Sequence, residues 1–197
     1  MAAVIRVYLE VEKTWAFACA VDYPGWQRRG KGEEAALEEL EAYRVRYADA
    51  TGTRPKGELH VVGTLPGTVT TGFGAPDVEG PWDAEPLTSK EIALVSACWQ
   101  AFDRTVAAVS AELQKGPRGG GRDRDAIVDH VREAERSYGR KIGARVPPRT
   151  PWEEQRAAIL ERLADPAADR WSPKYAARRI AWHVLDHAWE LQDKDLS

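Results

Sequence analysis

Two of the four histidines in this 197-residue chain, His183 and His187, stand four residues apart in the segment RRIAWHVLDHAWEL, residues 178–191. On a helix that spacing puts both imidazoles on one face with Cβ atoms about 5–6 Å apart, near enough to aim two nitrogen donors at one divalent ion. Ala176, Ile180, His183, Val184, His187 and Leu191 recur at three- and four-residue steps, so both histidines belong to the inward stripe. A site needs a third ligand, and the candidate is His130 in DAIVDHVREAERSYGRKIG, beside the apolar stripe Ile127, Val131, Ala134, Tyr138 and Ile142. Helices packed about 8–10 Å apart can bring one histidine and such a pair to a common ion. For each histidine taken alone the competing reading is a core residue satisfied by its neighbours. Three buried imidazoles without partners would each leave polar nitrogens unsatisfied, whereas a shared cation takes one lone pair from each. The spacing also excludes a zincin helix, H-E-x-x-H, because Val184 stands where the glutamate general base would be. Asp186 and Glu190 either orient the imidazoles or face solvent; Asp186, about 100° around the helix from His187, is expected to face outward.

Helical patterning covers residues 89–115, 123–142, 151–164 and 172–194, interrupted by GPRGGGR, GARVPPRT and DPAADRWS. Thr150 before Pro151 and Ser172 before Pro173 read as N-caps, since proline at the first helical position gives up only an amide with no helical partner. Four helices with short breaks predict an antiparallel four-helix bundle. The glycine tract after Pro117 is expected to be flexible. The first part of the chain has a different texture. VIRVYLEV (residues 4–11) alternates with period two, and TWAFACAVDYPGW continues it into a hairpin. KGEEAALEELEAYRVRYADATG reads as a helix, GELHVVGTLPG as a further strand carrying His60, and TVTTGF as a candidate for one more. The proline- and glycine-rich stretch GFGAPDVEGPWDAEPLT reads as a linker. The expectation is an α+β domain over residues 1–75, a linker at 76–88 and an all-α four-helix bundle over 89–197.

With 28 basic against 31 acidic residues, the net charge is −3 and the signs are interspersed, so no basic footprint for nucleic acid or anionic lipid is present. The N-terminus lacks the apolar core of a signal peptide and no run approaches the roughly 20 apolar residues of a membrane span, which predicts a soluble, cytoplasmic protein. Cys19 and Cys98 belong to no cysteine motif and read as reduced, buried thiols. The eight tryptophans indicate packing, with Trp182 and Trp189 placed to seal the histidines from water.

The segments LTSKEIALVSACWQAFDRTVAA, IVDHVREAERSY and RRIAWHVLDHAWELQD together resemble the DinB/YfiT-like superfamily of four-helix bundles, which includes mycothiol-dependent maleylpyruvate isomerases. The resemblance covers roughly residues 85–197. It implies a divalent metal, zinc or nickel, held by His130, His183 and His187, and a low-molecular-weight thiol such as mycothiol or bacillithiol that the ion binds as thiolate. A three-histidine ion keeps a position open for water or substrate, so hydrolysis and thiol transfer are both chemically available, and the resemblance favours a thiol-dependent transferase or isomerase. Arg179, one turn before His183, and Trp152, at the start of the third helix, are candidates for the pocket mouth, where an arginine would suit a substrate carboxylate. The alternative is that Arg179 is a solvated surface residue and Trp152 a packing residue. No catalytic residue is assigned. WAFACAVDYPGWQRRGKGEEAALEELEAYRVRYA is similar to HicB-like antitoxin domains, from which only the fold is carried over. The expected partners are a small-molecule thiol or electrophile and, by self-association, a second copy as a homodimer; neither nucleic acid nor membrane is expected. The alternative function is a non-catalytic binding or regulatory protein whose HicB-like domain engages a partner on the scaffold of the bundle.

Overall fold

The structure is a computed structural model that describes residues 3–117, 120–166 and 170–197, so the tract after Pro117 and the break at 165–172 lie partly outside the described residues. The elements are β1 (Val4–Val11), β2 (Ala16–Ala20), β3 (Gln27–Gly30), α1 (Glu33–Ala42), α2 (Arg44–Thr51), β4 (Glu58–Pro66), α3 (Val69–Phe73), a 3₁₀ turn (Pro81–Ala84), α4 (Ser89–Ala108), α5 (Arg124–Arg140), α6 (Trp152–Ala164) and α7 (Pro173–Asp193). The strands form one mixed sheet in the order β3-β2-β1-β4, antiparallel except for the parallel pair of β1 with β4. Period-two alternation sends Ile5, Val7 and Leu9 of β1 to the same side as Ala16, Ala18 and Ala20 of β2, in one cluster with Ala36 and Leu40 of α1. Tyr8, Phe17, Cys19 and Val21 point the other way and pack with Trp82 and Trp182. All five residues of β2 are therefore buried.

TVTTGF forms a helix, not a strand, because threonine hydroxyls close its start: Thr68 Oγ1 accepts from the Thr70 amide at 3.1 Å, and Thr71 Oγ1 accepts from the Thr68 amide at 2.7 Å. The hairpin gains a third strand, β3, after Gly25. That glycine has φ of 92°, and a Cβ on it would lie 2.9 Å from Leu185 Cδ1, so the turn is pressed directly onto α7.

The expected separate, all-α four-helix bundle is not what forms. Helices occupy the four predicted stretches, but α7 is no bundle rod with one buried stripe: 16 of its 21 residues are buried. One face meets α4, α5 and α6, and another lies on the sheet, where Trp182 meets Phe17 edge-on at 5.9 Å and Arg178 donates to the Tyr8 hydroxyl at 2.5 Å. A single core cluster runs from Ile5 to Leu191 through both halves of the chain. The fold is an α+β assembly in which a four-stranded mixed sheet and the helices share that core. The bundle reading followed the stripe from Ala176 to Leu191 and treated the opposite face of α7 as solvent-facing; the sheet covers it.

The stretch at 76–88 participates in this packing. Its 3₁₀ turn buries Trp82 against Tyr8, with ring centroids 4.6 Å apart, and presents Asp83 to Arg178. Both Asp83 carboxylate oxygens lie 2.6 Å from Arg178 Nη2, with the side chains 3% and 1% exposed. Burial opposes the charge on Arg178, but Tyr8 and Asp83 outweigh it and hold the guanidinium above its ordinary range. Removing one partner of such a pair strands the other, so Asp83→Asn is expected to destabilise the protein by about 3–5 kcal/mol in urea unfolding. For the same reason residues 85–197 expressed alone, which lose Asp83 and the sheet, are expected to give helical circular dichroism without a cooperative thermal transition.

Candidate metal centre

His183 and His187 project from α7 and His130 from α5, and the three rings meet: centroid separations are 5.1 Å (His130 to His183), 5.0 Å (His130 to His187) and 4.6 Å (His183 to His187). One donor nitrogen from each lies within 4.8 Å of the others. The Nε2 atoms of His130 and His183 are 3.2 Å apart. Two imidazoles bound at about 2.0–2.1 Å in a tetrahedral site have nitrogens roughly 3.4 Å apart, so small side-chain rotations suffice to close the set on an ion. The residues fit the group that the resemblance implies.

Glu190 sets the orientation of His187. Its Oε2 lies 2.7 Å from His187 Nδ1; a carboxylate can only accept, so the proton sits on Nδ1 and the Nε2 lone pair is left toward the other two rings. That hydrogen bond is the main reason the Glu190 carboxyl is pulled down to about 2, with Lys194, at 2.6 Å from Oε1, adding to it. His183 is pushed well below its ordinary value, first by burial and then by His187 and His130, and burial likewise lowers His130. Both are neutral at pH 7 and have lone pairs to offer. His183 Nδ1 is buried without a hydrogen-bond partner, so the tautomer that frees Nε2 for an ion leaves a proton on Nδ1 with no acceptor.

His130 is exposed while His183 and His187 are buried, so the cluster opens to solvent on the α5 side. Tyr138, two turns along α5, stands edge-on to His183 at 5.5 Å. Arg122, just before α5, places a guanidinium nitrogen 3.8 Å from Glu190. Asp186 faces away and pairs with Arg28 of β3 at 3.0 Å. Arg179 adjoins Tyr138 and Trp182, but its Nη1 donates to the Pro76 carbonyl at 2.6 Å and only 8% of the residue is exposed, so it is neither solvated nor at an open mouth. Trp152 lies elsewhere: its Nε1 donates to Glu135 at 2.5 Å and Arg156 stacks over its ring at 4.1 Å, in the contact of α5 with α6. Of the residues proposed from sequence, the three histidines converge, Arg179 borders the cluster and Trp152 does not touch it. Arg122 was missed because it follows a glycine-rich break that has no periodicity.

No family model, curated protein or solved structure matches this chain.

Glu190→Gln keeps the side chain's shape but removes its charge, and it is expected to weaken zinc or nickel affinity about 10–100-fold in competition with a chromophoric chelator. A second expectation concerns the metal-free protein. His183 and His130 titrate below the unfolded histidine value near 6.5, so between those values the unfolded chain takes up protons that the folded one refuses. Stability is then complete above pH 6.5 and falls as pH drops through and below it. Thermal midpoints with chelator at pH 7.5 and 5.5 should show the loss, and His183→Gln should shrink it.

Proposed function

We propose that this protein is a metal-dependent enzyme of thiol chemistry, a transferase or isomerase in which a divalent ion on His130, His183 and His187 activates a low-molecular-weight thiol. The observation that carries the reading is the convergence of three imidazoles, one of them oriented by Glu190, at a point open to solvent on one side. A bound ion would supply the Lewis acidity that lowers a thiol's pKa into the physiological range. The protein's own groups do the rest. Glu190 holds His187 with its lone pair inward, buried His183 resists protonation that would block the site, and exposed His130 leaves the approach through which a thiol enters and its proton departs. Arg122 contributes positive charge beside that approach and favours the thiolate over the thiol. The resemblance to mycothiol-using bundles selects thiol activation over hydrolysis, since an ion so held could acidify water equally well.

Cobalt substitution tests this directly. One cobalt per chain is expected, and titration with mycothiol, bacillithiol or a simple alkyl thiol should add a sulfur-to-cobalt charge-transfer band that His183→Ala abolishes. Stoichiometric cobalt with no thiol-dependent band would keep the metal site and discard the thiol reading. Failure to retain cobalt in a folded sample would remove both.

A further inference from the structure

On the side of α7 turned away from the histidines, α2, α4 and α7 enclose a cleft of about 390 Å³, a volume at the lower end of the roughly 300–1,000 Å³ usual for small-molecule sites. Its lining is mixed: Ala101 and Ala188 are buried there beside Trp189, and buried Thr105 accepts from Gln192 at 3.2 Å. Two arginines and one aspartate stand at the rim. Arg46 is committed, donating to Asp193 at 2.7 Å and to Gln192 at 2.9 Å. The other two charges are not. Arg104 donates only to the backbone carbonyl of Ala50, at 3.0 Å, and forms no ion pair among the described residues. Asp49, the residue before Ala50, has no hydrogen bond or ion pair to any described side chain. Opposite charges therefore line one cleft without pairing with each other.

We propose that this cleft binds a free α-amino acid with an aliphatic side chain. Its carboxylate would lie on the Arg104 guanidinium, whose planar fork matches a carboxylate, its ammonium group on Asp49, and its side chain against Ala101, Ala188 and Trp189. The pair of unmatched charges selects the class. A simple carboxylate would gain Arg104 but meet repulsion from Asp49, and a simple amine would meet the reverse; a zwitterion satisfies both. The apolar side chains of Ala101, Ala188 and Trp189 suit an aliphatic group. The inference does not depend on the metal reading, because no residue is shared between the two sites.

Isothermal titration of the full chain with L-leucine, and with its two half-molecules 4-methylpentanoate and 3-methylbutylamine, is the test. L-leucine is expected to bind at millimolar concentration or below, with each half-molecule at least about tenfold weaker, which is 1.4 kcal/mol. Arg104→Gln and Asp49→Asn should each weaken leucine by at least a similar factor, with far-ultraviolet circular dichroism and a cooperative thermal transition showing that each variant is folded. Ala108→Trp, which places a ring at the mouth, should abolish binding. No heat with leucine at millimolar concentration, half-molecules that bind as well as leucine, or charge variants with full affinity would each overturn the proposal.

Discussion

The rest of the structure depends on how α7 keeps its charges inside the protein. A helix buried on nearly every side must place its polar residues against something, and this one carries Lys174, Arg178 and Arg179 into the interior. Each finds its partners on segments distant in the sequence. Lys174 reaches Glu91 at 3.0 Å, with Asp22 and Glu85 at 3.3 Å; Arg178 takes Asp83 and Tyr8; Arg179 takes the Pro76 carbonyl. Unpaired, any of these cations would cost several kcal/mol, so the sheet, the 76–85 segment and α4 are bound to one placement of the helix. His183 and His187 follow on the same helix, and their position is fixed by interactions one and two turns away.

The same logic anchors the segment that crosses α7. Buried Glu10 on β1 accepts from the amides of Asp77 (2.9 and 3.0 Å) and Val78 (3.2 Å) and from the Thr71 hydroxyl. Burial raises its pKa and these donors pull it down, with burial the larger effect. Glu79 accepts from Ser172, and Asp77 accepts from Tyr175 at 3.4 Å. Proline and glycine in that stretch mark the absence of regular structure, not the absence of contacts.

Local chemistry was legible in the sequence wherever one segment carries it alone. Ser172 caps α7 ahead of Pro173, as its spacing indicates. The histidine pair and its inward face follow from i, i+4 spacing, and His130 from the neighbouring apolar stripe. What depended on distant partners was not legible. The pairings of Arg178 and Lys174 carry no sequence signature, because their counter-charges stand on other segments, at Asp83 and at Asp22, Glu85 and Glu91. The strand QRRG has no apolar alternation, since an edge strand needs only its backbone to pair with β2. Trp152 was placed by its turn of helix, but its hydrogen bond to Glu135 decides where it goes. Thr150 gives no side-chain cap; α6 starts directly after Pro151.

The two helices that share the histidines are held unequally. α7 is buried along most of its length, whereas α5 buries Ile127, Val131, Glu135 and Gly139, packs Val128 and Tyr138 partly against the core and leaves the rest more open. On the proposed reading, two ligands stand on the rigid element and one on the lightly held element. Glu190 fixes His187 on the rigid side, while among the described residues the polar partner within hydrogen-bond distance of the His130 ring is His183. Bond formation to an ion would therefore be met by movement of α5 and of the His130 ring, not of α7. Part of the binding free energy would appear as stabilisation of α5 against α7, since an ion that binds the folded state and not the unfolded one adds directly to its stability. A metal in this position would act as a clasp between the helices as well as a reagent, and the two roles share the 3.2 Å approach of His130 to His183.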